Sequence, residues 1–594
     1  MNNCQTPLSR RAFLGTAAAA MATVGLAGCA GNTAQGSAGS GNASGDAADI
    51  VFKNGTVQTM VKEGDTAAAM AVKGNKIVYV GDVAGLDKHI GDKTEVIDLD
   101  GGMVTPGFMD GHIHAPGDWL TKLFEIDLSQ GSTIKEYKKI IAGFIKKHPD
   151  DSAYTGHPFM INAFDNEDGS NNGPDKAILD KICDDKPIVL YDVSHHGCWV
   201  NSKALKLSGI DKDTANPQGG EIVRDANGEA TGYLKDSAGD LLSEDCFVVH
   251  TDKQSKKAFQ KYQEAAAQYG ITGITNLTAL DPKLYAELAK DGKLNLRMRV
   301  LPTVTPDMST DEAIESVEKL KKYESDMVST GTAKIFSDGV TEAGTAVMLE
   351  PYTDAAGKGD AWYGESVWDQ QAFSDMVVAL DKAGIQVHVH AIGDGAVHNT
   401  LDAYERAVQE NGARDERRNT ITHICAVTDE DVQRLADLDV VCALQFLWMY
   451  HDSLCDLEIA YVGEDRAMKF YPVKTMLEKG CFVSGASDGP VTGYAPLEEI
   501  EVAVTRNSPY PEEEDTDMYR WPEQGITAYQ ALEAYGKNVA FENYMEDKIG
   551  TIEEGKLADL VVLDQNILEC DPKKISDTKV RYTISDGRIV YKAK

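Results

Sequence analysis

The sequence predicts an α/β chain: a (β/α)8 TIM barrel, a small β-sandwich formed by both chain ends, and a cap inserted after the first barrel strand. Three features carry this expectation. Through the middle of the chain, eight strand-like runs alternate with helical ones, the pattern of a ring of parallel strands with crossover helices. Both ends are instead made of short strands separated by turn residues. A plain barrel needs about 250 residues; the span 104–540 is far longer, with the surplus at about 115–252.

Taken in order, residues 48–103 hold the runs ADIVFKNGTVQTM, AAAMAVKGNKIVYVGD and TEVIDLDGGMV, with Asn54-Gly55 and Gly74-Asn75 read as turns. Residues 541–594 have the same character, with Asp586-Gly587 at a hairpin, so the two ends are expected to share one small β-domain. The first barrel strand is read as Met103 to His112. The others are GITGITNLT, LRMRVLPTV, TAKIFSDG, IQVHVHAIGD, NTITHICAV, VVCALQF and CFVSGASDGP. Helical runs such as TDEAIESVEKLKKYE, QAFSDMVVALDKAG and TDEDVQRLADLD lie between them, the last opening on a Thr cap.

The first thirty residues are expected to carry targeting information. Ser9-Arg10-Arg11-Ala12-Phe13-Leu14 resembles a twin-arginine export signal, and the Ala-rich run that follows is short and weakly apolar for a membrane span. Leu26-Ala27-Gly28-Cys29 is similar to a bacterial lipobox, which implies cleavage before Cys29 and lipidation of that cysteine. An uncleaved anchor or a simple secretory signal are the alternatives for residues 1–29. Residues 30–47 form a Gly/Ser/Asn-rich tether that cannot bury a core. The expected location is the outer face of the cytoplasmic membrane or the cell surface, with the membrane touched only through the lipid.

Composition narrows the partners. With 42% hydrophobic residues in 594, the chain can bury a large core. A formal net charge of -36 argues against nucleic acid and anionic lipid, which need clustered Lys and Arg. Ten cysteines lack C-x-x-C spacing, so neither a zinc ribbon nor a disulfide scaffold is indicated. A small-molecule substrate remains, with a homodimer as one option.

The chemistry centres on VTPGFMDGHIHAP. Period-two alternation aims His112 and His114 at one point beyond the first strand, which is half of a metal site. Chemistry in a barrel sits at the C-terminal ends of the strands, and there stand also Lys334 on the fourth strand, His390 on the fifth, His423 on the sixth and Asp488 after the eighth. Singly each has a plainer reading: a snorkelling surface lysine, a helix cap, a hydrogen-bonded core histidine. Together, in order, they make a metal site.

GFMDGHIH, AKIFSDG, HAIGDGA, ITHICAV and SGASDGP, together with GTIEEGKLADLVVLD, resemble the amidohydrolase superfamily. The likeness is close to the family 3 branch that contains N-substituted formamide deformylases, and it runs from about Ala48 to Lys594. It implies two divalent ions, zinc on ligand type, held by His112, His114, Lys334, His390, His423 and Asp488, with Lys334 carboxylated (a carbamylated lysine formed from carbon dioxide) as a bridge. It implies Asp488 as the catalytic acid–base. The chemical rationale is independent of the likeness: a buried lysine loses its proton readily and becomes nucleophilic toward carbon dioxide. Paired ions generate a nucleophile and polarise a carbonyl, and a carboxylate can carry the proton to a leaving nitrogen.

Neighbouring residues are more open. His388 is either a partner of a ligand or a core histidine; Asp110 is expected to tie down the turn after the first strand, and Asp338 and Asp394 either orient ligands or cap helices. Within the insertion, His196 and Trp199 in HGCWVNS resemble a family segment and are candidate substrate-binding residues, though a packed aromatic with a satisfied histidine fits the pair at least as well. TGHPFMINAFDN replaces the Trp-rich segment of relatives, and Asp236 stands where Glu is more usual, which bears on substrate rather than on metal. The expected function is an exported metal-dependent hydrolase of amide-type C–N bonds. The alternatives are a hydrolase of an ester, a lactone or a heterocycle undergoing deamination, and a surface lipoprotein that binds a ligand without turnover.

Overall fold

The computed structural model describes residues 47–164, 173–193, 197–217, 220–277, 280–359, 361–414, 416–510 and 519–594. Residues 1–46, where the export signal and most of the tether are expected, and His196 lie outside the described residues. The chain divides into two compact units. One holds the described residues up to Ala115 together with Gln263–Lys594, and the other is Pro116–Tyr262.

In the first unit, both chain ends join a single eight-stranded sheet. Ile50–Gln58, Thr66–Lys73, Lys76–Gly81, Glu95–Asp98 and Met103–Pro106 come from one end, and Leu560–Leu563, Val580–Ser585 and Arg588–Lys592 from the other. The seam is the antiparallel pairing of Met103–Pro106 with Leu560–Leu563. Its core is shared by Phe52, Val57, Met70 and Val104 with Leu560, Val562 and Ile584. Asp586 and Gly587 both take positive φ, 49° and 73°, as a two-residue hairpin requires. Asn54-Gly55 is not a turn. It lies inside Ile50–Gln58, where Asn54 has φ 63° and the register with Thr66–Lys73 shifts between Lys53 and Val57, a bulge. A side chain on Gly55 would meet the Gly102 carbonyl at 2.4 Å, so the glycine serves a close backbone approach.

All eight parallel strands expected from the alternation are present. They are β1 (Phe108–Ile113), β2 (Ile271–Leu277), β3 (Arg297–Leu301), β4 (Thr332–Phe336), β5 (Gln386–Ala391), β6 (Thr420–His423), β7 (Val441–Gln445) and β8 (Phe482–Ala486). Among the described residues they form two arcs. One runs β1-β2-β3 and ends on Val328–Ser329; the other runs from Thr303–Val304 through β4 to β8. Thr303–Val304 follows β3 directly after Pro302 and pairs in parallel with β4. Beyond the strand ends, the Asp488 N–H donates to the His112 carbonyl (2.8 Å) and the His114 N–H to the Gly489 carbonyl (2.9 Å). The helices between them start where the sequence signals it: Ser309 and Glu312 form a capping box for Thr310–Glu318, and Thr428 caps Asp429–Asp437.

The expected single strand from Met103 to His112 is two. Met103–Pro106 belongs to the terminal sheet, and β1 starts after Gly107, whose N–H donates to the Asp559 carbonyl (2.8 Å). Both halves are extended and buried throughout, so their local pattern does not reveal the change of partner.

The second unit is built on a six-stranded sheet, with strands Ile126–Asp127, Tyr154–Phe159, Ile188–Asp192, Gly197–Val200, Gly220–Arg224 and Ala230–Asp236. The helix Ile134–Lys147, capped by Thr133, contributes Tyr137 and Ile141 to a core with Tyr154, Phe159 and Trp199.

A Cβ on Gly107 would lie 2.3 Å from the buried Thr272 side chain on β2. Gly107→Ala should therefore lower stability by about 1–3 kcal/mol, measured as a denaturation midpoint, and Thr272→Ala should recover most of that loss. A loss that Thr272→Ala leaves untouched would locate the strain elsewhere.

Candidate active site

The site is assembled at the C-terminal ends of the parallel strands. On β1, alternation turns Asp110 and His112 to one side, and His114 follows just beyond the strand end. One Asp110 oxygen accepts from the backbone N–H groups of His112 (3.0 Å) and Ser487 (3.1 Å), and the other from the Ser487 hydroxyl. Asp110 thus ties β1 to the segment after β8, a wider role than the turn anchor expected from sequence. Burial pushes its carboxyl up to about 7 against those hydrogen bonds.

That registry brings Asp488 against both histidines. Its Oδ1 lies 3.3 Å from His112 Nε2 and 3.1 Å from His114 Nε2. Burial works to raise the Asp488 pKa, but the His114 hydrogen bond and the charges of His423, His114 and Lys334 hold it below the ordinary value. Asp488 is therefore held as a carboxylate. His112, His423 and Asp488 form a buried trio whose ligand atoms all lie within 4.8 Å of one another. Burial, the Lys334 charge and neighbouring imidazoles keep His112 far below its usual pKa; burial and His390 do so for His423. Neutral imidazole is the form that ligates a divalent ion, so this donor set fits zinc or a similar cation.

The remaining expected ligands surround the trio. Lys334 is fully buried, its Nζ 3.4 Å from His112 Nε2 and 4.7 Å from the Phe336 ring centre. Burial lowers its pKa to about 7, opposed by the Asp488 charge, which makes a neutral amine accessible near neutrality. His390 packs edge-on against His423 with ring centres 4.5 Å apart. Its Nε2 is 3.2 Å from the Gly339 carbonyl and 3.5 Å from Asp338 Oδ1. Asp338 in turn accepts from the N–H groups of Ile392, Gly393 and Val347, so it braces the turn after β5 as well as the His390 ring. His114 is the open member, with 34% of its side chain exposed. The backbone is strained at this point: His423, Ile424 and Asp488 have φ of 82°, 44° and 57°.

Some residues were not anticipated. Gln445 Oε1 lies 2.8 Å from His423 Nδ1 and, as an acceptor there, leaves Nε2 to face the trio. It is a buried polar residue that closes β7, and that position was the available signal. Trp448 stacks flat on His423 (5.3 Å, 4°), and its indole N–H donates to Thr492. His388 lies against His112, its Nε2 2.9 Å from His112 Nδ1. Asp394 accepts from the Leu349 N–H in the first turn of the helix Asp394–Asn411, a structural role.

Trp199, a candidate pocket residue, is a core residue. It has no exposed surface, donates its indole N–H to the Asp175 carbonyl (3.0 Å) and packs edge-on against Phe164 and Phe159. A tryptophan and its neighbours read the same in sequence whether the ring lines a pocket or fills a core.

The Amidohydrolase family pattern matches residues 95–591. YtcJ of Bacillus subtilis (strain 168), itself described only as a candidate amidohydrolase, is 30% identical over 554 residues, covering 91% of this chain and 99% of its own. An N-substituted formamide deformylase of Arthrobacter pascens is 28% identical over 556 residues, 91% of this chain and 98% of its own. In fold, the chain is similar to an uncharacterized metal-dependent hydrolase from Pyrococcus horikoshii, with a TM-score of 0.68 at 21% identity over 88% of this chain and 99% of that one. With the family pattern spanning the eight parallel strands and the buried His/Asp trio, the chain belongs to the amidohydrolase family and is a metal-dependent hydrolase.

Proposed function

We propose that the chain hydrolyses an amide-type carbon–nitrogen bond of a small-molecule substrate at a two-ion centre held by His112, His114, Lys334, His390, His423 and Asp488, with Lys334 carboxylated. The observation that carries this reading is the buried trio of His112, His423 and Asp488 with the Lys334 amine 3.4 Å from His112. Full burial and a neutral form accessible near pH 7 suit Lys334 to reaction with carbon dioxide. The fold reading that accompanies it is a closed (β/α)8 barrel, supported by the backbone bonds between the ends of β1 and β8.

When bound, such ions lower the pKa of water and polarise the carbonyl under attack. The protein's own part is to hold and move charge. Asp488, kept ionised at the centre, can accept a proton at Oδ1 from the attacking water and return it to the departing nitrogen. Asp110 holds Asp488 in reach of His112 and His114 through the adjoining Ser487. Gln445 and Trp448 fix the His423 ring in plane. Relatives that include a deformylase of N-substituted formamides favour the C–N bond over an ester or lactone.

Purified protein should turn over members of a panel of N-formyl and N-acyl amines. Asp488→Asn should lower kcat by about a hundredfold to ten-thousandfold while ligand affinity stays near wild type, with metal content checked in the same samples. If wild type turns over no amide, ester or lactone yet binds ligands as tightly as Asp488→Asn, the chain is a binding protein.

Export and anchoring belong to the same reading, supported by Arg10, Arg11 and Cys29. Cys29→Ser should move the protein from the membrane fraction to the soluble exported fraction; unchanged membrane association would contradict lipidation.

A further inference from the structure

Behind His112 runs a buried chain of polar side chains that reaches away from the reacting centre. His388 lies two residues before His390 on β5, so the pleat points it the same way but one layer deeper. Its Nε2 is 2.9 Å from His112 Nδ1, with the rings stacked at 19°. On its far side, His388 Nδ1 faces Glu542 Oε1 at 3.6 Å. Neither of these two atoms has a hydrogen-bond partner among the described residues, and both are buried. The other oxygen of Glu542 receives the Ser484 hydroxyl (2.7 Å). Glu542 closes the short helix Val539–Glu542 and comes close to β1 because Gly111 has no side chain: a Cβ there would be 3.0 Å from Glu542 Oε2.

We propose that Glu542 is a positioning residue that selects the tautomer of His388 and, through it, the tautomer of His112. Two neutral imidazoles joined by one hydrogen bond share one proton, and there are two ways to place it. If His388 Nε2 carries the proton and donates to His112 Nδ1, then His112 Nε2 carries its own proton and cannot ligate. If His112 Nδ1 donates to His388 Nε2, the lone pair of His112 Nε2 is directed at Asp488 and Lys334, and His388 must carry its proton on Nδ1. Burial raises the Glu542 carboxyl to about 8 against the Ser484 hydrogen bond, so near neutral pH it is largely protonated; with that proton on Oε2, Oε1 faces Nδ1 as an acceptor and stabilises the second arrangement. At 3.6 Å the contact is longer than a hydrogen bond, so its effect is electrostatic in a dry interior, where such a preference is strong. Outer partners of ligating histidines are typically worth ten- to hundredfold in metal affinity.

The inference rests on His112 ligating through Nε2, and its test separates the two. In competition with a chelator, Glu542→Met should hold zinc about ten- to hundredfold more weakly than wild type. Glu542→Gln, which keeps an acceptor oxygen, should recover most of that loss, and adding Glu542→Met to His388→Phe should cause no further loss. Wild-type affinity in Glu542→Met, or equal losses in the Met and Gln variants, would overturn the proposal. Should Glu542→Met fail to fold, neutron diffraction on the wild-type protein decides: protons on His388 Nδ1 and His112 Nδ1 support it, and a proton on His388 Nε2 refutes it. A wild type that retains no zinc would overturn the metal reading instead, and the proton positions would still test this inference.

Discussion

The carboxylate of Asp110 is the contact on which the site's geometry depends. It accepts from His112 on one strand and from Ser487 beyond another, so the first and last parallel strands meet in a fixed register. The backbone bond from Asp488 to the His112 carbonyl continues that register by one step. Without it, the Asp488 oxygen would have no reason to sit between His112 and His114. The arrangement is costly, because a lysine, several imidazoles and two carboxylates share a buried volume where charge is poorly solvated. Their shifted pKa values express that cost: His112, His423 and Lys334 are driven toward neutrality, while Asp488 is held below its ordinary value, against burial, by the His114 hydrogen bond and the nitrogen groups it faces. A cluster of neutral nitrogen donors around one carboxylate has the composition of a divalent-cation site.

How far the sequence discloses this follows from which interactions are local. His112, His114, His390, His423 and Asp488 could be read because each sits near or just beyond a strand end, and strand ends are visible in alternation and turn residues, whereas Lys334 lies midway along β4. The division of Met103 to His112 into two strands could not, since the change of sheet at Gly107 depends on Thr272 and Asp559, far away in sequence. Asn54-Gly55 misled because Asn54 takes in a bulge the positive φ that a hairpin turn would also ask of it. Gln445 carried a usable signal, a polar residue closing a buried strand, whereas Glu542 carried none: it reaches the site from a helix that follows the last strand.

The site is also organised in depth. The trio and Lys334 form one layer, and behind it Gln445, His388 and Asp338 each lie against a nitrogen of a different histidine. Each ring then has one nitrogen committed to the protein, which fixes its orientation and reduces the reorganisation required when a cation arrives. The positive φ at His423, Ile424 and Asp488 fits the same picture, with backbone strain concentrated where side-chain direction matters most.

The central claim is that this layer holds two ions bridged through Lys334. Elemental analysis of the purified protein, combined with anomalous diffraction at the zinc edge from its crystals, tests it most directly. The account predicts about two zinc equivalents per chain, as in two-ion hydrolytic sites, with two anomalous peaks flanking a Lys334 side chain lengthened by a carboxylate. A single peak beside an unmodified Lys334 amine would contradict it.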